Sequence, residues 1–160
     1  MRLPPTVALV AALAPTLLAC GSGSGSDGAC GPIRREALDP QFLVHVLGDA
    51  PVEYTSDPPT SGPHQPTPEV SGVVTEPMSR PIQVGVLERG DVLLQHQPDL
   101  AADQLSELQA LAGTGVVVAP NADLDEPVVA TAWLYKRSCS SVDADALREF
   151  VEERQGKGPE

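Results

Sequence analysis

The chain has few aromatic residues, few basic residues and few cysteines, and each shortage narrows what the protein can be. Aromatic residues make up 3% of its 160 residues, so Val, Leu and Ala must build most of the core. Lys and Arg number 10 against 22 Asp and Glu, and the formal net charge is -12. Because phosphate contacts need clustered Lys and Arg, nucleic acid is not an expected partner.

Long apolar runs are also missing. The apolar stretch at residues 7–18 is short of the roughly 20 residues that a spanning helix needs, and Pro15 interrupts it. Arg2 precedes this stretch and Leu-Leu-Ala-Cys follows at residues 17–20, which is the layout of a secretory signal. Leu-Leu-Ala-Cys resembles the lipobox of bacterial lipoproteins, which implies cleavage before Cys20 and a diacylglycerol on its sulfur. The alternative is an ordinary signal peptide with a chance cysteine at its end.

The sequence therefore predicts a lipoprotein signal peptide at residues 1–19, a Gly/Ser tether at 20–29 and a single globular domain at 30–156. Removal of residues 1–19 takes away Arg2 and no acidic residue, so the charge changes from -12 to -13. Such a domain has little affinity of its own for anionic lipid, and the acyl chains, such as palmitate, must anchor it. We expect a lipid-anchored protein on the extracytoplasmic face of the cell membrane, with the acyl group at Cys20 as its one covalent cofactor.

Two cysteines remain if Cys20 is acylated. Outside the cytoplasm, an even pair is typical of a disulfide, here between Cys30 and Cys139. Two unrelated thiols, or a metal or redox pair, are the alternatives. The chain has no Cys-x-x-Cys motif, the usual mark of a redox pair.

Hydrophobic patterns predict an α+β fold: a small mixed sheet, packed by two helices on one face, with a long proline-rich loop. The loop spans Gly48 to Pro81 and holds eight prolines. The predicted strands are 42–47, 84–87, 92–95, 116–118 and 128–135. One helix should begin at Pro98-Asp99 and end at Gly113, and a second should run from residues 141–143 to about Arg154. Between the second and third strands, Glu88–Asp91 is expected to form a hairpin turn.

One part of the loop carries a family resemblance. Tyr54 followed by Pro-Pro-Thr-Ser-Gly-Pro-His at residues 58–64 resembles the bacterial family called domain of unknown function 3105, over roughly residues 50–155. Members of that family typically continue with His-Asn-Leu-Glu-His-Gly. This chain has Gly-Val-Leu-Glu-Arg-Gly at residues 85–90, so Gly85 and Arg89 replace the histidines and Glu88 is retained.

Two functions remain open. The leading hypothesis is a non-catalytic binding domain at the cell envelope, whose partner is an envelope protein or a cell-wall component. Its candidate binding residues are His64, Glu88 and Arg89. No catalytic residue is predicted, since the chain has no Gly-x-Ser-x-Gly nucleophile motif.

The alternative is a metal-binding or metal-dependent site that uses His64 with Glu88 and His96. One imidazole and one carboxylate are fewer than the three or four ligands that transition metals usually take, so the lost histidines count against it. His64 could also simply stabilise its own loop. His45 lies on the predicted strand 42–47, and His96 lies on the next-but-one strand when that strand is extended from 92–95 to 92–97. At both positions an edge or half-buried histidine is the simpler expectation.

We predict that metabolic labelling with a fatty acid tags the protein and that Cys20→Ala abolishes both the label and membrane attachment. The physical reason is that two or more acyl chains bind a membrane stably, whereas the acidic domain does not. An unlabelled protein, or a Cys20→Ala variant that stays in the membrane fraction, would overturn the predicted location.

Overall fold

The computed structural model describes Met1 and residues 28–48, 51–66 and 70–159. The predicted signal peptide after Met1, Cys20 and the tether up to residue 27 lie outside these residues. Within the described ranges, no helix has the length and apolar character needed to cross a membrane.

Six strands and three helices form the described part of the chain. The strands are β1 (Arg34–Arg35), β2 (Gly72–Val73), β3 (Val92–His96), β4 (Val116–Pro120), β5 (Val128–Ala132) and β6 (Tyr135–Cys139). The helices are α1 (Arg80–Glu88), α2 (Ala102–Gln109) and α3 (Ala144–Arg154). All six strands join one sheet in the order β1-β6-β5-β3-β4-β2.

The sheet is mixed, because β3 pairs in parallel with β4 and antiparallel with β5. Strand β2 adds a parallel edge beside β4, and the β5-β6 hairpin and β1 continue the sheet antiparallel on the other side. The predicted α+β class with a small mixed sheet is therefore confirmed.

Both faces of the sheet are covered, whereas the sequence suggested only one. Side chains alternate along β3, so Val92 and Leu94 enter one core cluster and Leu93 enters the other. The first cluster is closed by α2 and α3, which contribute Leu108, Leu147 and Phe150. The second is closed by α1 and by a loop that brings in Phe42 and Tyr54.

The covering helix α1 was not predicted, and the expectation of a strand at 84–87 is wrong. Val84 and Val86 favour strands when read locally. However, Pro81 fits the first turn of a helix, where its missing N–H is not needed, and both valines are fully buried. Tertiary burial thus outweighs local propensity. The Glu88–Asp91 segment consequently joins helix α1 to strand β3 and is not a hairpin turn.

The predicted strand at 42–47 is also wrong. This segment consists of turns and one bridge residue, His45, which pairs with His64. Leu43 and Leu47 are 78% and 86% exposed, so its apolar residues do not form a buried strand.

Smaller differences concern the ends of elements. Helix α2 begins at Ala102, and the residue with left-handed backbone beyond it is Gly115 (φ 70°), not Gly113. The predicted strand 128–135 is split between β5 and the first residue of β6 by a turn at Trp133-Leu134. The predicted loop from Gly48 to Pro81 also contains β2 and the first residues of α1.

The structure joins Cys30 and Cys139, 109 residues apart, in a disulfide. Cys139 ends β6, and both cysteines belong to the core cluster beneath α2 and α3. Ala29, at the end of the predicted tether, accepts a hydrogen bond from the Ser140 amide, and Gly156 donates one to the Gly90 carbonyl. Contacts of the folded domain therefore extend at least from residue 29 to residue 156.

We predict that Cys30→Ser/Cys139→Ser lowers the free energy of unfolding by about 4 to 5 kcal/mol, because the bond closes a long loop in the unfolded chain. Urea titration with and without a reductant measures the change. If the reductant destabilises this variant as much as the wild type, the cross-link is not the source of the stability.

Candidate functional site

The Pro-Pro-Thr-Ser-Gly-Pro-His segment is buried along its whole length, from Pro58 to His64. Its three prolines have no N–H to satisfy, which suits an irregular backbone inside a protein. The Thr60 carbonyl accepts a hydrogen bond from the Leu134 amide at 3.1 Å, and Ser61 Oγ accepts one from the Asp39 amide at 2.9 Å. The segment is therefore part of the interior, and it holds His64 in a defined place.

Tyr54 supports the same segment from the side. Its hydroxyl donates a hydrogen bond of 2.6 Å to the Pro63 carbonyl, and burial, with a smaller contribution from Asp39, raises the pKa of Tyr54 to about 12. Gly62 lies against the ring: a Cβ at this position would be 3.0 Å from two ring carbons. Gly62 also has a φ of 132°, so only glycine fits without strain.

His64 is 1% exposed and is held by backbone and side chain. Its amide donates to the Val44 carbonyl at 3.0 Å, and its own carbonyl accepts from the Val46 amide at 2.8 Å. On the ring, Nδ1 lies 3.1 Å from the Gly62 carbonyl. A carbonyl can only accept, so Nδ1 carries a hydrogen, and Nε2 is the ring atom left for another partner.

Glu88, the last residue of α1, lies beside Nε2. Its Oε2 lies 2.9 Å from His64 Nε2. The distance is that of an ion pair, yet His64 Nε2 has no partner in hydrogen-bond geometry among the described residues. A hydrogen bond weakens steeply when misaligned, so this contact is a close approach of two atoms and not an aligned hydrogen bond.

His45 completes a group of three. Its ring lies edge-on to that of His64, with the centroids 4.8 Å apart and the planes at 80°. One ligand atom from each of His45, His64 and Glu88 can be chosen so that all three lie within 4.8 Å of one another. His45 is exposed and Glu88 is partly exposed, so the group opens to solvent on one side and is closed by His64 on the other.

A chain of amides fixes α1, and with it Glu88, to the sheet. Gln95 of β3 donates to the Gln83 side-chain oxygen at 3.0 Å, and Asn121 donates to the Gln95 side-chain oxygen. Gln83 in turn donates to the Met78 carbonyl ahead of the helix. Gln83 and Gln95 are buried, so these polar groups satisfy one another and hold the helix in register.

The structure brings together two of the residues singled out from the sequence, His64 and Glu88. Arg89 pairs with Asp91, with Arg89 Nη2 and Asp91 Oδ2 2.6 Å apart. His96 is buried at the end of β3, where its Nδ1 lies 2.9 Å from the Gln97 carbonyl, and it does not join the cluster. His45 was missed, because its position beside His64 depends on a pairing between distant segments.

The fold and the site define an α+β domain with a two-histidine, one-carboxylate cluster at the end of a buried loop. Residues 45–160 match the family model described as "Protein of unknown function (DUF3105)", and the chain belongs to this family. The matched region contains all three residues of the cluster. No curated protein and no solved structure matches the chain.

We predict that Tyr54→Phe lowers the free energy of unfolding by about 1 to 3 kcal/mol, because it leaves the buried Pro63 carbonyl without its side-chain donor. Chemical denaturation at neutral pH measures the loss. Tyr135→Phe is the matched control, since the described residues give the Tyr135 hydroxyl no hydrogen bond. Equal effects of the two substitutions would contradict the proposed support of the buried segment.

Proposed function

We propose that this domain binds one divalent transition-metal ion through His45, His64 and Glu88. The observation that carries the proposal is the 2.9 Å contact between His64 Nε2 and Glu88 Oε2 without hydrogen-bond geometry. A metal ligand must be deprotonated, and with Nε2 in that form the two electron-rich atoms repel each other unless a cation lies close to both. A metal ion at this point would supply the missing positive charge.

The dimensions of the cluster suit such an ion after a small adjustment. Bonds of about 2.0 to 2.2 Å place tetrahedral ligand atoms roughly 3.3 to 3.6 Å apart. The three candidate atoms lie within 4.8 Å of one another. His64 is fixed in the interior, whereas His45 is exposed and its ring has room to rotate toward the ion.

The surroundings of His64 support the same function. A metal-binding histidine usually donates its other ring N–H to a carbonyl or carboxylate, which fixes the tautomer and aims the lone pair. The Gly62 carbonyl fills this role at 3.1 Å from Nδ1. The sequence counted against metal chemistry because Gly85 and Arg89 replace two histidines, but His45 supplies an imidazole from a different segment.

Two imidazoles and one carboxylate favour zinc or copper over magnesium or calcium, which prefer oxygen ligands. Three protein ligands leave at least one coordination position for water or another molecule. We propose metal binding as the function and propose no catalytic step.

We place this domain on the outer face of a bacterial membrane, anchored by an acylated Cys20. The signal-like N-terminus supports this location, and so does the Cys30–Cys139 disulfide, since disulfides persist outside the reducing cytoplasm. At this location, an envelope protein or a cell-wall component is the expected macromolecular partner. Nucleic acid is not expected, because the chain has a net charge of -12.

We predict that protein purified without chelator takes up about one equivalent of zinc or copper, and that His64→Ala and Glu88→Gln each abolish this stoichiometric binding. Losing a direct ligand should weaken binding by more than the roughly 10-fold to 100-fold typical of outer-shell changes. Elemental analysis gives the stoichiometry, and calorimetric titration with each metal gives the affinity.

His96→Gln is the matched control, because it removes the remaining histidine, which lies outside the cluster. Far-ultraviolet circular dichroism checks that each variant is folded. If wild type binds no metal, or if His96→Gln removes binding as completely as His64→Ala does, the three-residue site is wrong.

A further inference from the structure

A second site is suggested by charge. The chain is strongly acidic, yet three of its 10 basic residues, Arg35, Arg154 and Lys157, line one cleft of about 320 Å³. Trp133, Leu134 and Tyr135 form the rest of its side-chain lining, and no acidic residue lines it. We infer that this basic cleft binds the oxyanion of a small molecule, a phosphate or a carboxylate group.

Arg154 is the central donor of the basic cleft. Its guanidinium carbon lies 3.7 Å from the centre of the Tyr135 ring, so the ring holds the group by a cation–π contact. One terminal nitrogen lies 3.0 Å from Glu153 Oε2. The buried Nε has no hydrogen-bond partner among the described residues. Arg154 therefore keeps donor capacity on a group that is already oriented, and guanidinium donors match phosphate and carboxylate oxygens well.

The other two cations have no competing partner. In the part of the chain that the structure describes, neither Arg35 nor Lys157 forms an ion pair. Arg35 comes from edge strand β1 and Lys157 from the segment after α3. Since strand β1 and the C-terminal end of α3 bring like charges to one cleft, an anion in the cleft would stabilise the arrangement.

The backbone around the basic cleft is also unusual. Leu134 has a φ of 63°, and it is the one non-glycine residue with positive φ in the described part. Its amide donates to the Thr60 carbonyl and its carbonyl accepts from the Glu36 amide. These bonds hold the strained turn that places Trp133 and Tyr135 in the cleft wall. Such strained residues are found most often at functional sites.

Trp133 is the single tryptophan of the chain and lines this cleft, so all tryptophan fluorescence comes from its wall. We expect inorganic phosphate or acetate to cause a saturable change in Trp133 emission that sodium chloride at equal ionic strength does not. Arg154→Gln should weaken binding by about tenfold or more, because charge-assisted hydrogen bonds are lost. Arg148→Gln, on the exposed side of the same helix and paired with Asp145, should bind like the wild type.

Lys157→Gln provides a second variant should Arg154→Gln fail to fold, and it should weaken binding as well. The Lys157 side chain forms no hydrogen bond or ion pair with the residues that the structure describes. Titrating phosphate and acetate separately shows whether the cleft binds a phosphate or a carboxylate group. A response to either one supports the site. A signal that follows ionic strength alone, or equal binding by wild type and both cleft variants, would overturn the inference. Glu88→Gln should bind oxyanions normally, which keeps this result independent of the proposed metal site.

Discussion

Burial of an irregular, proline-containing segment is the constraint on which this structure depends. A backbone inside a protein must satisfy its polar groups, and residues 58–64 cannot do so with a helix or a strand ladder. The prolines remove three donors. The Thr60 carbonyl accepts from the Leu134 amide and the Pro63 carbonyl from the Tyr54 hydroxyl, while the Ser61 side chain accepts from the Asp39 amide. These hydrogen bonds link the buried segment to the turn after β5 and to the loop that precedes the segment.

The same constraint produces the candidate site. His64 closes the buried segment, so its ring is oriented by interior contacts while Nε2 points toward the end of α1. Helix α1 is itself locked to β3 through Gln83 and Gln95, which brings Glu88 to the same point. A carboxylate and an imidazole are thus brought together by two separate elements, and the proposed metal site rests on this contact.

Distribution of charge is the second organising feature. The few basic residues are not spread evenly over an acidic chain. Arg80 pairs with Asp57 and Arg137 pairs with Glu149, and these contacts tie loops and helices to the fold. Arg35, Arg154 and Lys157 instead share one cleft with an aromatic floor, at the opposite end of the β5-β6 hairpin from the disulfide.

Local sequence patterns were sufficient to predict the position of an element that buries a continuous apolar run. Strands β3 and β4 and helix α3 were predicted close to their observed positions, since their Val and Leu residues carry a clear period and Asp143 caps the helix. The same reasoning failed for α1, where fully buried Val84 and Val86 look like a strand. It failed again at residues 42–47, whose alternating apolar residues are largely exposed.

By itself, the sequence determined the α+β class, the buried strands of the second half, the cysteine pair and two of the three site residues. Only the tertiary structure decided that His45, and not His96, lies beside His64. The reason is physical: the bridge between His45 and His64 joins segments with no shared periodicity, and it exists because the buried loop needs partners for its backbone. No local pattern encodes which distant segment will supply them.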